Sequence, residues 1–259
     1  MDCTVITPVG PGHEQLVNRA IGSAMMAAEE NLGPFKNIHI LAGLDDGRGR
    51  SAVRNYLLKY PMERMLVRST GDDPQDAYRS EWLFFLDADD VMCNKEIWGT
   101  SPFGTVEPFI EDFDCIWGPI VEIDREHNIS KRMQSEVISS YKEFLFYHPF
   151  QSVQIGHFVR RKVFPGFNED MEYCEDVDLY IREWRDLRCI KQEVPLFINW
   201  RGHHTWSESE GPNGRDWSIK SVELIKEARR IYRSSKKATA EARPQAFNVL
   251  SVDPSEKDT

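Results

Sequence analysis

The segment Trp82-Leu83-Phe84-Phe85-Leu86-Asp87-Ala88-Asp89-Asp90 constrains this chain more than any other. Five consecutive apolar residues read as a buried strand, and it runs straight into three carboxylates. Burying a strand this apolar aims the acids at a site rather than at open water. In an extended or turning backbone, residues two apart point to the same side, which places Asp87 beside Asp89. Two carboxylates so placed can hold a hard divalent cation through oxygen. The plain alternative is an Asx turn capping a strand, the usual use of an isolated Asp-x-Asp pair.

The stretch before this segment alternates strand and helix. Residues 3–7 form a short β-branched run closed by Pro8-Val9-Gly10-Pro11-Gly12, which predicts a buried first strand ending in a loop. Leu16, Val17, Ala20, Ile21, Ala24, Met25 and Ala28 recur at helical spacing over 14–31, and Gly33-Pro34 stops them. Strands are expected at 38–41 and 65–67, with a helix over 51–60 between them. This alternation implies parallel strands joined by right-handed crossovers. Ligands of such sheets collect beyond the carboxyl ends of the strands. Thr7-Pro8, Asp45-Asp46 and Asp87-Ala88-Asp89 would therefore converge on one crevice.

The second half changes character. Strand-like pieces lie at 115–123 and 153–159, with a turn at Pro165-Gly166-Phe167-Asn168. A helix is expected over 175–187, then short strands at 189–194 and 196–200, a loop with His203 and His204, and a helix over 216–234. This divides the chain into residues 1–115, residues 116–235, and a polar tail at 236–259.

Composition narrows the class. The 259 residues are 41% hydrophobic, enough for one large domain or two small ones and too much for general disorder. A net charge of −10 argues against general nucleic-acid binding. Five cysteines, an odd number with no Cys-x-x-Cys, argue against a disulfide framework or a zinc knuckle and fit a reducing cytosol. There is neither a long apolar span nor a leader pattern, so the expected location is cytoplasmic, with peripheral attachment to a membrane as the variant.

Two further clusters bear chemistry. Glu175-Asp176 opens a helix behind Glu169, Asp170 and Glu172, which suits either a helix dipole or a general base. His203-His204 lies in a glycine-containing loop between tryptophans, which suits a metal or phosphate contact as well as a structural role.

Taken in order, these segments resemble the family-2 glycosyltransferases of the GT-A fold, over about residues 3–207. Cys3-Thr4-Val5-Ile6-Thr7-Pro8-Val9 is similar to the family's nucleotide-meeting first strand, and Asp45-Asp46-Gly47 to its base-pairing DDG turn. Phe85-Leu86-Asp87-Ala88-Asp89-Asp90 resembles its FLDADD form of the DxD motif. Val163-Phe164-Pro165-Gly166-Phe167-Asn168-Glu169 looks like the segment ending in GFDE. Cys174-Glu175-Asp176-Val177-Asp178-Leu179 is similar to its EDxDL helix start, and His204-Thr205-Trp206-Ser207 to a late His-x-x-Ser element.

The resemblance implies a Rossmann-like, mostly parallel sheet with flanking helices. It implies an inverting transferase that takes a nucleotide-sugar donor, UDP in the first place and GDP or dTDP otherwise. Thr7, Pro8, Asp45, Asp46 and Asp87 would meet the donor. Asp87, Asp89 and His203 or His204 would hold Mn²⁺ or Mg²⁺. Asp176 would be the catalytic base, with Gly166, Phe167 and Glu175 on the acceptor side.

The chain departs from the family's pattern in places. Ala52-Val53-Arg54-Asn55 looks like the family's Ala-Arg-Asn motif, but it precedes the third strand instead of following it. The basic donor contact thus stays open among Arg54, Arg68 and Arg79. The QxxRW motif of processive synthases is not found, which favours single addition.

The acceptor expected by default is a cell-surface glycan or a lipid-linked glycan, with a modified DNA base as the minority alternative. The basic surplus over 220–243 could meet phosphates, although a solvated helix face explains it as well. Two other classes stay in view. A nucleotidyltransferase would want a basic glycine loop, and residues 8–13 lack Lys and Arg. A non-catalytic sugar or nucleotide binder would want a lost acid, and Asp89 and Asp176 are both present.

Overall fold

Every side chain from Trp82 to Leu86 is sealed from water, none more than 1% exposed. A strand can be apolar at every position only if both faces of its sheet are covered. The computed structural model, which describes residues 1–60, 65–123, 129–132, 137–147, 154–171, 174–200 and 212–241, shows this arrangement.

The elements run β1 (Cys3–Val9), α1 (Val17–Glu30), β2 (Ile38–Leu44), α2 (Arg50–Leu57), β3 (Met65–Ser69), β4 (Trp82–Phe85), β5 (Val91–Met92), α3 (Lys95–Trp98), α4 (Pro102–Thr105), β6 (Cys115–Trp117), β7 (Ile120–Ile123), β8 (Ile129–Arg132), α5 (Tyr141–Tyr147), β9 (Phe158–Arg160), α6 (Glu175–Asp186), β10 (Cys189–Lys191), β11 (Phe197–Trp200) and α7 (Pro212–Glu241). A seven-stranded sheet has the order β10-β6-β9-β4-β1-β2-β3, and a four-stranded sheet the order β5-β11-β7-β8. In the larger sheet β1, β2, β4, β6 and β10 run one way, and β3 and β9 the other. This is the mixed α/β, mostly parallel architecture expected from the sequence.

Alternation along β4 sorts its side chains between two apolar layers. Trp82, Phe84 and Leu86 join Val5 and the alanine-rich face of α1, where Ala20, Ala24 and Ala27 let helix and sheet approach closely. Leu83 and Phe85 face the other layer, which includes Val53 of α2, Phe144 of α5, Val177 and Trp184 of α6, and Ile225 of α7. Truncating a buried phenylalanine to alanine typically costs about 3–5 kcal/mol, so β4 tolerates little change.

Three expectations are corrected. The third strand is antiparallel to β2, not parallel. The eight residues of α2 rise only about 12 Å, short of the roughly 23 Å spanned by a seven-residue strand. The chain does not return to the amino end, and Met65 starts beside Gly43. The single piece at 115–123 is two strands in two sheets. Pro119, which has no N–H to give a ladder, breaks it, and Gly118 packs where a Cβ would lie 2.9 Å from atoms of Val194 and Leu196. The last helix continues through Glu241, beyond the expected start of the tail at 236. Among the described residues, no helix is long and apolar enough to cross a membrane.

Candidate active site

The carboxyl ends of β1, β2 and β4 meet, through Thr7-Pro8, Leu44 and Asp87, at one edge of the larger sheet. The backbone turns directly after β4, with Asp90 N–H donating to Asp87 C=O at 3.0 Å. Asp87, Asp89 and Asp90 thereby gather, each offering one carboxylate oxygen within 4.8 Å of the others. Asp89 and Asp90 are buried and Asp87 is partly exposed. Arg19 of α1 donates to Asp89 C=O at 2.7 Å, and Asn199 of β11 donates to Asp90 at 3.1 Å. The turn is thus fastened to α1 and to the smaller sheet.

The cationic side comes from α2. Arg50 and Arg54 lie four residues apart and so share one face of the helix. Arg54 is 1% exposed, pairs with Asp87 at 2.5 Å, and lies 3.7 Å from Glu175. Arg50 reaches Glu175 at 3.1 Å. Arg50 is exposed; desolvation of the end that meets the acids works against its charge, but Glu175, Asp87, Asp176 and Asp89 outweigh it and raise its pKa. The Arg54 guanidinium also sits 4.8 Å over the Phe167 ring. A lysine cannot present such a flat fork to a carboxylate and a ring together.

Glu175 and Asp176 open α6, where negative charge suits the helix dipole. The helix is preceded by Cys174 at φ 64°, a left-handed conformation rare outside glycine, and the Cys174 thiol donates to Trp217 C=O of α7 at 3.2 Å. Asp176 is half-buried. Burial, followed by the charge of Glu175, pushes its carboxyl up to about 6, against the lowering effects of the Val177 N–H, Arg50 and Arg54. A carboxylate with its proton affinity raised towards neutrality is suited to taking a proton at physiological pH. Tyr180, one turn along α6, is buried, and burial raises its hydroxyl's pKa.

The Gly166-Phe167 loop is held from two sides. Asn55 accepts from Phe167 N–H and donates to Phe167 C=O, both at 2.9 Å, and donates to Glu169 at 2.7 Å. Arg182 donates to Gly166 C=O at 2.8 Å while pairing with Asp178 at 2.7 Å. Asp178 is therefore occupied. The Asn55 of the displaced Ala-Val-Arg-Asn segment ties the end of α2 to the loop that faces it.

Of the donor-side expectations, Thr7 and Pro8 are buried in β1. Asp45 donates its N–H to Val9 C=O, and its Oδ1 accepts from Gly47 and Gly49 N–H, so it shapes the turn into α2. Asp46 is exposed and clamped by Arg48 at 2.5 Å. A cavity of about 310 Å³ opens beside this turn, lined by Val9, Glu14, Val17, Ala42, Leu44, Met65 and Leu66.

Arg79 stands apart from the acids. It is exposed, three residues before β4, at the amino end of the sheet. The 3₁₀ turn Pro74–Tyr78 is tied there by the Thr4 hydroxyl donating to Ala77 C=O, so Arg79 faces away from the acids. Arg68 is exposed on edge strand β3, opposite Ile40. Of the three arginines, Arg54 is the one brought to the carboxylates. His203 and His204 lie outside the described residues.

Sequence reasoning missed Arg50, Arg19, Tyr180 and Asn199. Arg50 carried a signal, since it stands one turn before Arg54, but the helix was expected to begin one residue too late. The others approach from distant elements.

The donor set fits a hard divalent cation. Five carboxylates (Asp87, Asp89, Asp90, Glu175, Asp176) gather against Arg19, Arg50 and Arg54, leaving excess negative charge in a partly buried place. Oxygen-only ligands suit Mg²⁺ or Mn²⁺.

No protein-family model matches the chain, and no curated protein matches it. The fold is found among solved structures. Staphylococcus aureus TarS 1–349 in complex with UDP-GlcNAc aligns at 12% identity and a TM-score of 0.58, covering 88% of this chain and 66% of that one. TarS 1–349 alone gives 11% identity and 0.55, over 88% and 65%. Full TarS gives 13% and 0.55, over 87% of this chain and 39% of that one. The likeness at this identity is one of fold, and the chain spans just under two thirds of the TarS fragment.

Proposed function

We propose that this chain is an inverting glycosyltransferase of the family-2 type, moving a sugar from a nucleotide-sugar donor to an acceptor hydroxyl. The observation that carries the reading is the convergence of Asp87, Asp89, Arg54, Glu175 and Asp176 at the carboxyl end of β4. The TarS structures hold UDP and UDP-GlcNAc on a similar fold, which supports a UDP-sugar here, with GDP and dTDP as alternatives.

Asp87 and Asp89, with Asp90 beside them, would hold Mn²⁺ or Mg²⁺. A bound ion there supplies charge stabilisation for a departing diphosphate. Arg54 fixes Asp87 in place. Asp176 takes the proton of the acceptor hydroxyl as its oxygen attacks the anomeric carbon from the face opposite the leaving group. Glu175 and Arg50 orient that acid, and the pinned Gly166-Phe167 loop forms the acceptor wall. Holding both substrates in line supplies much of the rate. The uracil would sit by Pro8 and the 310 Å³ cavity. Asp45 suits it better than Asp46, because both turn bonds of Asp45 use Oδ1 and leave Oδ2 to accept from a base N–H.

His203 or His204 joins the ion or the diphosphate in this reading, since Asn199, four residues before His203, already touches Asp90. Residues 1–115 serve the donor and 116–235 the acceptor, a glycan or lipid-linked glycan, in the cytoplasm or at a membrane face. A modified DNA base is the less favoured acceptor. Of the basic residues of α7, Arg229 donates to Leu145 C=O, Arg230 pairs with Glu227, and Arg233 stacks on Phe146.

Calorimetric titration with a panel of nucleotide sugars, with and without Mn²⁺, tests the reading. Binding of at least one donor in Mn²⁺, weakened strongly by EDTA, is expected. Failure of every nucleotide sugar to bind would overturn it, and equal affinity in EDTA would remove the metal from it.

A further inference from the structure

We propose that Cys115, His157 and Glu183 form a zinc site inside the core, separate from the carboxylates at the end of β4. The three residues are fully buried, and their ligand atoms lie within 4.8 Å of one another. His157 Nε2 is 3.0 Å from Glu183 Oε2, and Cys115 Sγ is 3.6 Å from the same oxygen. Tetrahedral zinc, with Zn–S of about 2.3 Å and Zn–N or Zn–O of about 2.0 Å, separates neighbouring ligand atoms by roughly 3.3–3.6 Å. These two spacings are within a few tenths of an ångström of that range, and Cys115 and His157 lie within 4.8 Å of each other.

Charge accounting favours an ion over a bare hydrogen-bonded pair. Phe85, Trp117, Tyr180 and Trp184 belong to the same apolar layer, and an unpaired charge there is costly. With a neutral imidazole, the Glu183 carboxylate is left uncompensated. With an imidazolium, two N–H groups are buried, and Nδ1 has no hydrogen-bond partner among the described residues. Zinc with one thiolate, one carboxylate and one neutral imidazole carries no net charge. The mixed sulfur, nitrogen and oxygen set suits zinc, whereas the all-oxygen set at Asp87, Asp89 and Asp90 suits harder ions.

The surroundings preset the ligands. The Trp117 indole stacks on the His157 ring, centroids 3.6 Å apart and planes within 10°. The preceding Gly156, at φ 124°, leaves no room for a Cβ, which would meet the Phe197 ring at 2.2 Å. Cys189 stands opposite Cys115 in the β6–β10 register, with its thiol in contact with that of Cys115, and closes the fourth side as a neutral thiol that adds no charge. These ligands come from β6, β10, α6 and the residue before β9, which is why no Cys-x-x-Cys announces them. Glu183 lies seven residues after Asp176, so the ion would anchor to the sheet the helix that carries the candidate base.

The test uses the full chain, produced in zinc-supplemented medium under reducing conditions and passed over chelating resin. One equivalent of tightly held zinc is expected, with sulfur at about 2.3 Å in the zinc X-ray absorption spectrum. Asp89→Ala keeps that zinc and Cys115→Ser loses it. Should Cys115→Ser fail to fold, the wild-type spectrum decides, because only oxygen and nitrogen around the metal would overturn the proposal. No zinc in the wild-type chain overturns it too, as does zinc lost from Asp89→Ala.

Discussion

Asp176→Asn should make this protein more stable and less active at once. The carboxyl of Asp176 is displaced from an ordinary 3.8 to about 6, by burial first and by the charge of Glu175 second. At 1.36 kcal/mol per pH unit this is about 3 kcal/mol of opposition to the ionised form. Solvent reaches part of the side chain and screens it, so about 1–2 kcal/mol is the expected effect. Because the folded pKa lies above the unfolded one, the folded chain holds the proton between about pH 4 and pH 6 while the unfolded chain does not. Stability from this group is fully present below pH 4 and lost as pH rises through 6. Asparagine keeps the shape and removes the charge. Its midpoint at pH 8 should therefore rise by roughly 2–8 °C, and the gain should vanish near pH 4. Turnover should fall by about 10²–10⁴ while nucleotide binding survives. The wild-type rate should climb with pH through about 6, and the variant should lack that limb. Calorimetric melting at two pH values beside a pH–rate profile reads all of this. A variant destabilised at pH 8 would refute the charge argument, and near-normal turnover would move the base elsewhere. Loss of nucleotide binding would put Asp176 in the metal site.

Three further outcomes are expected. Asp89→Ala should abolish the Mn²⁺-dependent part of UDP binding in calorimetry, and an unchanged difference between Mn²⁺ and EDTA would contradict the ion site. Asp45→Ala should weaken UDP binding and its preference over CDP more than Asp46→Ala does, because Arg48 already occupies Asp46; equal preference in both variants would displace the base from this turn. Asn55→Ala strips the partners from Phe167 N–H and C=O and should cost about 1–3 kcal/mol in urea unfolding. A change below 0.5 kcal/mol, roughly the scatter of ordinary surface substitutions, would show that the clamp does not hold the loop.

The parts of the fold legible in the sequence are those fixed by short-range pattern. The run at 82–86 is apolar on both faces because both faces are covered, and that alone marks β4 as interior. The helix stop at Gly33-Pro34 and the acid-rich start of α6 are similarly local. What stayed hidden depends on length and on partners far along the chain. The reversal of β3 follows from the shortness of α2, which no residue type signals. The division of 115–123 turns on Gly118-Pro119, whose tight packing against Leu196 is visible only in three dimensions. Arg54 could not be told from Arg68 or Arg79 by composition. Its distinction is one of place, since α2 begins at the carboxyl ends of the strands, whereas Arg79 belongs to the turn that seals their amino ends.

The acidic turn is also a covalent joint between the two sheets, and this explains how it can be so crowded. β4 ends at Phe85 and β5 begins at Val91 in the other sheet, so residues 86–90 must cross between layers. A crossing backbone cannot satisfy its polar groups by a strand ladder, and buried ones need partners. Arg19 supplies one from α1 and the turn's own Asp90 N–H closes on Asp87 C=O, while Asn199 of β11 holds the Asp90 carboxylate. The carboxylates are thus held by the framework on both sides before any ligand arrives. Their mutual repulsion is offset by Arg54 and Arg50, which belong to a helix packed on β1 and β2 and cannot follow the acids if they move. A cluster fixed in this way keeps its excess negative charge instead of relaxing it. It presents a preorganised set of oxygens suited to a cation. The basic character of Asp176 has its own origin, its burial and the charge of Glu175 beside it.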